Sequence, residues 1–285
     1  MNVTILGAGT MGAGIAQACL QAGHAVSLFD AQADALAAGR DRIARGLARA
    51  EEKGHLGDQT AEATLAALAP NAATLQAAVS AADVVIEAVS EAPAVKESVW
   101  RDLGSYAREG ALLASNTSSL SITALAAAAG RPERTCGLHF FNPVAVLPLV
   151  EVVRGEGTSD AAMDEADAFA RSLGKTPVQC HDRPGFLVNR LLIPYVNEAA
   201  QLLDEGSADA EAIDTAMTLG ANMPMGPLAL ADLIGLDVVL AIMESLHAEL
   251  GDDKYRPAPR LRRMVRAGHL GRKSGRGFFD HGGQR

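Results

Sequence analysis

The sequence predicts an α/β protein in which an N-terminal doubly wound, mostly parallel sheet is followed by an all-α C-terminal domain. Strand-like and helix-like segments alternate before residue 182, which is typical of an open parallel sheet with helices on both faces. Beyond that point the pattern becomes entirely helical. We therefore predict two domains, 1–182 and 183–285, and a chain of 285 residues is long enough to give each a hydrophobic core.

The first strand–helix–strand unit carries a complete dinucleotide-binding fingerprint. A strand at 2–6 runs into Gly7-Ala8-Gly9-Thr10-Met11-Gly12, a helix follows at 13–23, and a strand at 25–29 ends at Asp30. Gly7 permits a tight turn, Gly9 lets backbone N–H groups approach a pyrophosphate, and Gly12 lets the helix pack closely. Asp30 can accept hydrogen bonds from a ribose 2′-hydroxyl and would repel a 2′-phosphate. The unit therefore predicts a Rossmann-like domain that binds NAD rather than NADP.

The next helix, predicted over 33–53, carries basic residues on one face. Arg42, Arg45, Arg49 and Lys53 are spaced 3, 4 and 4 residues apart, which aligns them along the helix. One interpretation is an ordinary solvated face. The other is a basic stripe for a polyanionic ligand, on a protein whose formal net charge is −9.

Three further strands are predicted before the change of pattern, and a polar side chain follows each. The strands lie at 82–89, 111–114 and 135–139, with helices at 95–107 and 122–129 between them. Glu91, Ser118 and His139 come at or just after the strand ends. Ligands of such sheets bind beyond the carboxyl ends of the strands, so these side chains are candidates for one site.

His139 is followed by an apolar run at 144–153 that carries a single carboxylate, Glu151. A buried carboxylate without a partner is costly, so Glu151 should face a cation or a donor, and His139 is the nearest candidate in sequence. A histidine held by a buried glutamate is the arrangement of an oriented general base. The alternative is a core histidine and a solvent-facing glutamate on an edge strand.

The remaining chain is predicted to be helical, with Pro194 as a kink in its first helix. The predicted helices lie at 186–205, 208–218, 228–250 and 259–267.

Composition and charge exclude several classes of protein. The acidic balance argues against a general binder of nucleic acid or of membrane surfaces. Cys19, Cys136 and Cys180 form no disulfide framework, and the histidines lack metal-ligand spacing, so we predict no metal. The chain opens directly into a strand and has no apolar run of membrane-spanning length. We therefore expect a cytoplasmic protein.

With these residues assembled, the whole chain resembles the NAD-dependent L-3-hydroxyacyl-CoA dehydrogenase family, most closely its compact bacterial 3-hydroxybutyryl-CoA dehydrogenases. The resemblance rests on the glycine fingerprint and on five further motifs. These are Ser115-Asn116-Thr117-Ser118-Ser119, His139-Phe140-Phe141-Asn142-Pro143, Asp182-Arg183-Pro184-Gly185-Phe186-Leu187-Val188-Asn189-Arg190, Gly226-Pro227-Leu228-Ala229-Leu230-Ala231-Asp232 and Gly271-Arg272-Lys273-Ser274-Gly275-Arg276-Gly277-Phe278.

The resemblance implies a role for each matching residue. His139 matches the catalytic base, Glu151 its orienting carboxylate, Ser118 a substrate-binding serine and Asn189 an asparagine at the reacting end of the acyl group. The implied cofactor-binding set is Gly7, Gly9, Thr10, Met11, Gly12, Asp30, Glu91, Lys96, Asn116 and Ser118.

The implied reaction interconverts (S)-3-hydroxyacyl-CoA and 3-oxoacyl-CoA, with short acyl chains expected. The family also implies an acyl-CoA between the two domains and a homodimer formed through the helical domain. The Arg42 to Lys53 stripe is our candidate for the anionic end of CoA, because the family's contacts there do not align residue by residue.

Two alternatives remain at this point. One is a dehydrogenase of free hydroxy acids, of the gulonate or hydroxyisobutyrate type. The other is a non-catalytic NAD-binding scaffold.

Overall fold

The computed structural model describes residues 1–282. Contacts divide the chain into two compact units, of which the first is Met1–Arg183 and the second begins at Pro184. Within the described residues, no helix combines the length and the apolar character needed to cross a membrane.

The first unit is built on one sheet, and residues 1–282 contain seven strands. The strands are β1 (Asn2–Leu6), β2 (Ala25–Phe29), β3 (Val84–Glu87), β4 (Leu112–Ser115), β5 (Thr135–Phe140), β6 (Leu149–Arg154) and β7 (Thr176–His181). Their order is β2-β1-β3-β4-β5-β6-β7, and all neighbours are parallel except β5 and β6. The chain leaves β1 towards β2 and returns on the other side for β3. This places the switch point, where such sheets bind ligands, at the carboxyl ends of β1 and β3.

Helices cover the sheet because both of its faces are apolar. They are α1 (Thr10–Gln21), α2 (Ala33–Glu52), α3 (Ala61–Leu65), α4 (Leu75–Val79), α5 (Pro93–Tyr106), α6 (Ile122–Ala129) and α7 (Asp160–Ser172). Successive residues of β1 point to opposite faces, so Ile5 joins one core cluster with Ile15 and Leu6 joins another with Trp100. The predicted doubly wound, mostly parallel sheet is confirmed.

Four elements of this unit are absent from the sequence-based prediction, namely the short helices α3 and α4, the helix α7 and the strand β7. β7 is an edge strand whose residues are mostly exposed, so its sequence lacks an apolar run. α7 buries Ala162, Met163, Ala166, Phe169 and Ala170 on one face. These residues recur at helical spacing, so α7 could have been predicted from the sequence.

The second unit is helical, as predicted, but one predicted boundary is wrong. Its helices are α8 (Val188–Asp204), α9 (Ala210–Gly220), α10 (Pro227–Ile234), α11 (Leu236–Leu250) and α12 (Pro259–Arg266). The single helix predicted over 228–250 is divided at Gly235, whose φ of 101° is incompatible with a continuing right-handed helix. The apolar faces of these helices meet in one core that includes Ile193, Leu228 and Met243.

Candidate active site

His139 and Glu151 form a buried pair on the two antiparallel strands at the centre of the predicted site. They are register partners on β5 and β6, and the His139 Nδ1 lies 2.6 Å from the Glu151 Oε2. Glu151 is 0% exposed and His139 is 6% exposed. Because β6 lies between β5 and β7, the alternative of a solvent-facing glutamate on an edge strand is wrong. An ionised carboxylate only accepts hydrogen bonds, so Nδ1 carries a proton and Nε2 is the nitrogen that can exchange one.

Ser118 lies in the turn after β4, and Glu91 holds this turn in place. One oxygen of Glu91, Oε1, accepts hydrogen bonds from the Ser118 N–H at 2.9 Å and from the Thr117 hydroxyl. The hydroxyls of Ser118 and Ser119 lie 3.4 and 3.2 Å from the same oxygen. The loop after β3 therefore determines the position of the serine turn after β4.

The ionisation of Glu91 is shaped by the same contacts. Burial by itself would raise the pKa of this carboxyl group. The Lys96 ammonium and the hydrogen bonds from Thr117 and Ser118 oppose burial, and the net pKa of Glu91 is lowered. Glu91 is therefore held as an anion beside the serine turn.

Lys96 is buried between two carboxylates, one of which the sequence analysis missed. Its ammonium lies 2.6 Å from the Glu87 carboxylate and 3.1 Å from that of Glu91, and its side chain is 1% exposed. Glu87, the last residue of β3, is 0% exposed. The signal was present in the sequence, because Glu87 is a carboxylate in an apolar run, as Glu151 is.

Asn116, directly after β4, binds the ends of the two strands that flank β4, which are β3 and β5. Its side-chain oxygen accepts a hydrogen bond from the backbone N–H of Phe140 at 2.9 Å, and its own N–H donates to the carbonyl of Glu87. The polar segments after β3, β4 and β5 are thus fastened to one another, as predicted for one rim of the sheet.

The glycine fingerprint has the shape that a pyrophosphate requires. Gly7 has a φ of 95°, and a Cβ there would lie 2.5 Å from the carbonyl oxygen of Ala88. A Cβ on Gly12 would lie 1.8 Å from the carbonyl oxygen of Gly7, so helix and strand approach as only glycine allows. At Gly9, by contrast, the space is open at the N-terminus of α1. This open cradle of backbone N–H groups fits an anionic cofactor. Of the other two fingerprint residues, Thr10 is exposed in the first turn and Met11 packs against the core.

Asp30 stands at the end of β2, beside this cradle. Its two carboxylate oxygens accept from the backbone N–H groups of Ala8 at 2.8 Å and Gln32 at 2.9 Å. The carboxylate is therefore fixed against the fingerprint loop, which fits a ribose with free hydroxyls and not a 2′-phosphate.

The arginine stripe lines a pocket of about 350 Å³ in the first unit. Arg42, Arg45 and Arg49 face it from α2, and segment 142–145 lines it after the His139 motif. Further lining residues are Thr10, Ala13, Gly14, Gln17 and Gly46. Lys53, the C-cap residue of α2, does not line the pocket. The stripe is thus a three-arginine wall beside the cradle, and Arg42 also lies 3.3 Å from the Ala8 carbonyl oxygen.

Asn189 belongs to the second unit, where it lies in the first turn of α8. The other predicted catalytic side chains, His139, Glu151 and Ser118, belong to the first.

Comparisons with known proteins identify both parts of the chain. Residues 2–183 match the family model described as 3-hydroxyacyl-CoA dehydrogenase, NAD binding domain, and residues 185–281 match that of the C-terminal domain. A probable 3-hydroxybutyryl-CoA dehydrogenase of Deinococcus radiodurans is 49% identical over 99% of this chain and 100% of its own length. The mitochondrial hydroxyacyl-coenzyme A dehydrogenase of Homo sapiens is 42% identical, over 98% of this chain and 91% of its own.

Solved structures agree with the sequence relatives. The crystal structure of an (S)-3-hydroxybutyryl-CoA dehydrogenase from Ralstonia eutropha has a TM-score of 0.93 and 46% identity, with 98% of each chain covered. Matches over both domains at this identity, together with the fingerprint geometry, show an NAD-dependent oxidoreductase. The chain belongs to the 3-hydroxyacyl-CoA dehydrogenase family.

Proposed function

We propose that this protein interconverts (S)-3-hydroxyacyl-CoA and 3-oxoacyl-CoA with NAD(H), and that its substrates are short-chain thioesters such as 3-hydroxybutyryl-CoA and acetoacetyl-CoA. The observation that carries the proposal is the buried pair of His139 and Glu151, separated by 2.6 Å at the end of the sheet where ligands bind. Relatives named 3-hydroxybutyryl-CoA dehydrogenase support the short acyl chain.

In the oxidative direction, His139 acts as the general base. Its Nε2 takes the proton of the C3 hydroxyl, because Nδ1 is engaged by Glu151. The ring then carries a positive charge inside the protein, and the carboxylate of Glu151 stabilises it. Glu151 also keeps the ring in one orientation, so that little reorganisation accompanies the proton transfer.

When bound, NAD supplies the acceptor for the hydride from C3, a group that the protein itself lacks. The fingerprint glycines with Thr10 and Met11, and Asp30, would hold its adenosine and pyrophosphate parts. Glu91, Lys96 and Asn116 would line its nicotinamide half. Ser118 and Asn189 position the reacting oxygen and the acyl carbonyl by hydrogen bonds, which is a contribution of geometry more than of charge.

The nucleotide end of CoA is proposed to lie against Arg42, Arg45 and Arg49. This placement is supported by the pocket that the three arginines share with segment 142–145, directly after the His139 motif. Arginine pairs with phosphate oxygens in bidentate geometry, which suits a polyanion.

We further propose that the enzyme is a cytoplasmic homodimer formed through the helical unit. Leu191 on α8 and Leu219 on α9 are 75% and 82% exposed, which supports an apolar contact surface there. The three free cysteines support a reducing compartment. Light scattering of the full chain tests the dimer, and a monomeric mass would contradict it.

The proposed function is tested by following NADH oxidation with acetoacetyl-CoA, with acetoacetate and with longer 3-oxoacyl-CoA thioesters. We expect efficient turnover of acetoacetyl-CoA, little with the free acid, and a strong preference for NADH over NADPH because of Asp30. Equal rates with acetoacetate would favour a free hydroxy-acid dehydrogenase. Tight NADH binding without turnover would favour a scaffold.

A further inference from the structure

Glu87 is a completely buried carboxylate whose four acceptor positions are all filled by donors. Oε1 accepts from the backbone N–H of Val89 at 2.8 Å and from the Lys96 ammonium at 2.6 Å. Oε2 accepts from the Ser115 hydroxyl at 2.8 Å and from the Trp100 indole N–H at 3.2 Å. The Val89 N–H, the Lys96 ammonium and the Trp100 N–H can only donate, so in three of the four contacts Glu87 must accept.

Glu87, Lys96 and Glu91 form a cluster with an excess of negative charge. Two carboxylates flank one ammonium, at 2.6 and 3.1 Å, which leaves a net charge of about −1. Glu87 makes the shorter contact and is the better buried of the two. The remaining groups bound to the carboxylates are neutral and come from Val89, Trp100, Ser115, Thr117, Ser118 and Ser119.

The order of the strands places this cluster beneath one particular half of a bound dinucleotide. In the proposed cofactor site, Asp30 would hold the adenosine ribose at the end of β2, and the fingerprint would hold the pyrophosphate at the end of β1. A dinucleotide lying across the strand ends must then continue over β3 and β4. The loop after Glu87 contacts the fingerprint, because the backbone carbonyl of Ala88 packs against Gly7. The nicotinamide half would therefore lie over the cluster.

We propose that Glu87 is a positioning residue whose carboxylate neutralises the Lys96 ammonium. The negative charge of Glu91 is then left uncompensated, and it favours the binding of NAD+ over NADH. The oxidised nicotinamide is a cation and the reduced ring is neutral, so a nearby net anion stabilises the two forms unequally. If Glu87 had only a structural role, its replacement would weaken the binding of NAD+ and of NADH equally. The inference rests on the proposed cofactor site.

The test is a pair of dissociation constants measured on the full chain, by the fluorescence of NADH and by calorimetry with NAD+. In Glu87→Gln, which keeps the shape of the side chain and removes its charge, we expect the ratio Kd(NAD+)/Kd(NADH) to rise about fivefold. The matched control is Glu97→Gln, because Glu97 lies on the exposed face of α5, the helix that carries Lys96, and is paired with Arg101. Its ratio should equal that of the wild type.

Equal weakening of NAD+ and NADH by Glu87→Gln would overturn the inference. If this variant does not fold, Glu91→Gln is measured in its place. It makes the same change of charge in the cluster, at a side chain that is 37% exposed. A raised ratio supports the charge effect and an unchanged ratio overturns it. Failure of the wild-type protein to bind either cofactor would instead contradict the proposed function.

Discussion

Two carboxylates, Glu87 and Glu151, lie in apolar strands with no exposed surface, and each is matched by donors from neighbouring elements. Because burying an unpaired charge is costly, a carboxylate in an apolar strand indicates that hydrogen-bond donors or a cation lie around it. In the sequence, Glu151 within an apolar run therefore indicated a polar partner, for which His139 was the candidate. Applied to Glu87 it would have found the second cluster, but not its partners, because Lys96 and Trp100 come from a helix whose docking the sequence does not specify.

At His139, replacement by Gln should remove the base while keeping the ring's approximate volume. We expect kcat to fall by about 10²–10⁴-fold, with the Kd for NADH little changed. A matched control is His24→Gln, because His24 is also a buried histidine, paired with Ser172, and takes no part in the proposed chemistry. Near-normal turnover of the His139 variant would remove it from the mechanism.

Glu151→Gln preserves hydrogen bonding to the ring but not the negative charge that stabilises the protonated imidazole. We expect kcat to fall by roughly 10²-fold in steady-state assays at saturating substrate. Thermal unfolding must be measured beside it, because Glu151 is buried. A lowered Tm with an unchanged kcat would assign Glu151 a structural role only.

At the scale of elements, the site is made of short loops fastened to one another at the ends of β3, β4 and β5. Neither the order of the strands nor the antiparallel pairing of β5 with β6 was predicted from the sequence. The mostly parallel sheet and the meeting of its polar loops at one edge were predictable, because strand and helix patterns alternate clearly and parallel strands align their carboxyl ends. The break between α10 and α11 was not, since a single glycine in an apolar helical pattern is ordinarily tolerated.

The turn after β4 should depend on pH through Glu91. Because its folded pKa is lowered from the usual 4.5, its contribution to stability is fully present above pH 4.5 and is lost as the pH falls through the lower, folded value. We therefore expect the difference in unfolding free energy between wild type and Glu91→Gln to be constant near neutrality and to shrink below pH 4.5.

Urea unfolding across this range measures that difference. Glu97→Gln serves as the control, because an exposed ion pair on a helix contributes less than about 0.5 kcal/mol. If the difference in unfolding free energy between wild type and Glu91→Gln stayed constant down to strongly acidic pH, the carboxylate charge would not be what holds the turn.

At the scale of the whole molecule, a protein of formal net charge −9 is proposed to bind a polyanionic thioester. The overall charge repels the ligand, whereas Arg42, Arg45 and Arg49 attract it at one pocket. The attraction between these arginines and the ligand acts at short range and exceeds the repulsion by the net charge, which is screened over about 10 Å at moderate salt. The sequence showed the stripe and its spacing. It did not show that three of the four basic residues line a pocket, because that depends on the packing of α2 against α1.

The two opposing charge effects predict a change of sign with salt. In the wild type, added salt should raise the KM for acetoacetyl-CoA by screening the arginines. The double variant Arg45→Ala, Arg49→Ala should have a KM about tenfold higher at low salt. Its KM should fall as salt is added, because only repulsion remains to be screened.

Lys53→Ala is the matched control, since Lys53 continues the stripe without lining the pocket. A pantetheine thioester, which lacks the nucleotide, should give the same KM with all three proteins. An unchanged KM for acetoacetyl-CoA in the double variant would show that the stripe is an ordinary solvated helix face and not a binding site for CoA.

The pairing of His139 with Glu151 across β5 and β6 also makes turnover a reporter of refolding. Side chains alternate between the two faces of a strand, so a slip of one residue would turn Glu151 to the opposite face of the sheet. A chain refolded from denaturant with these strands mispaired could regain its helical circular dichroism and still lack an oriented base. Recovered activity, compared with recovered helicity, would therefore count the molecules in which these two strands have paired correctly.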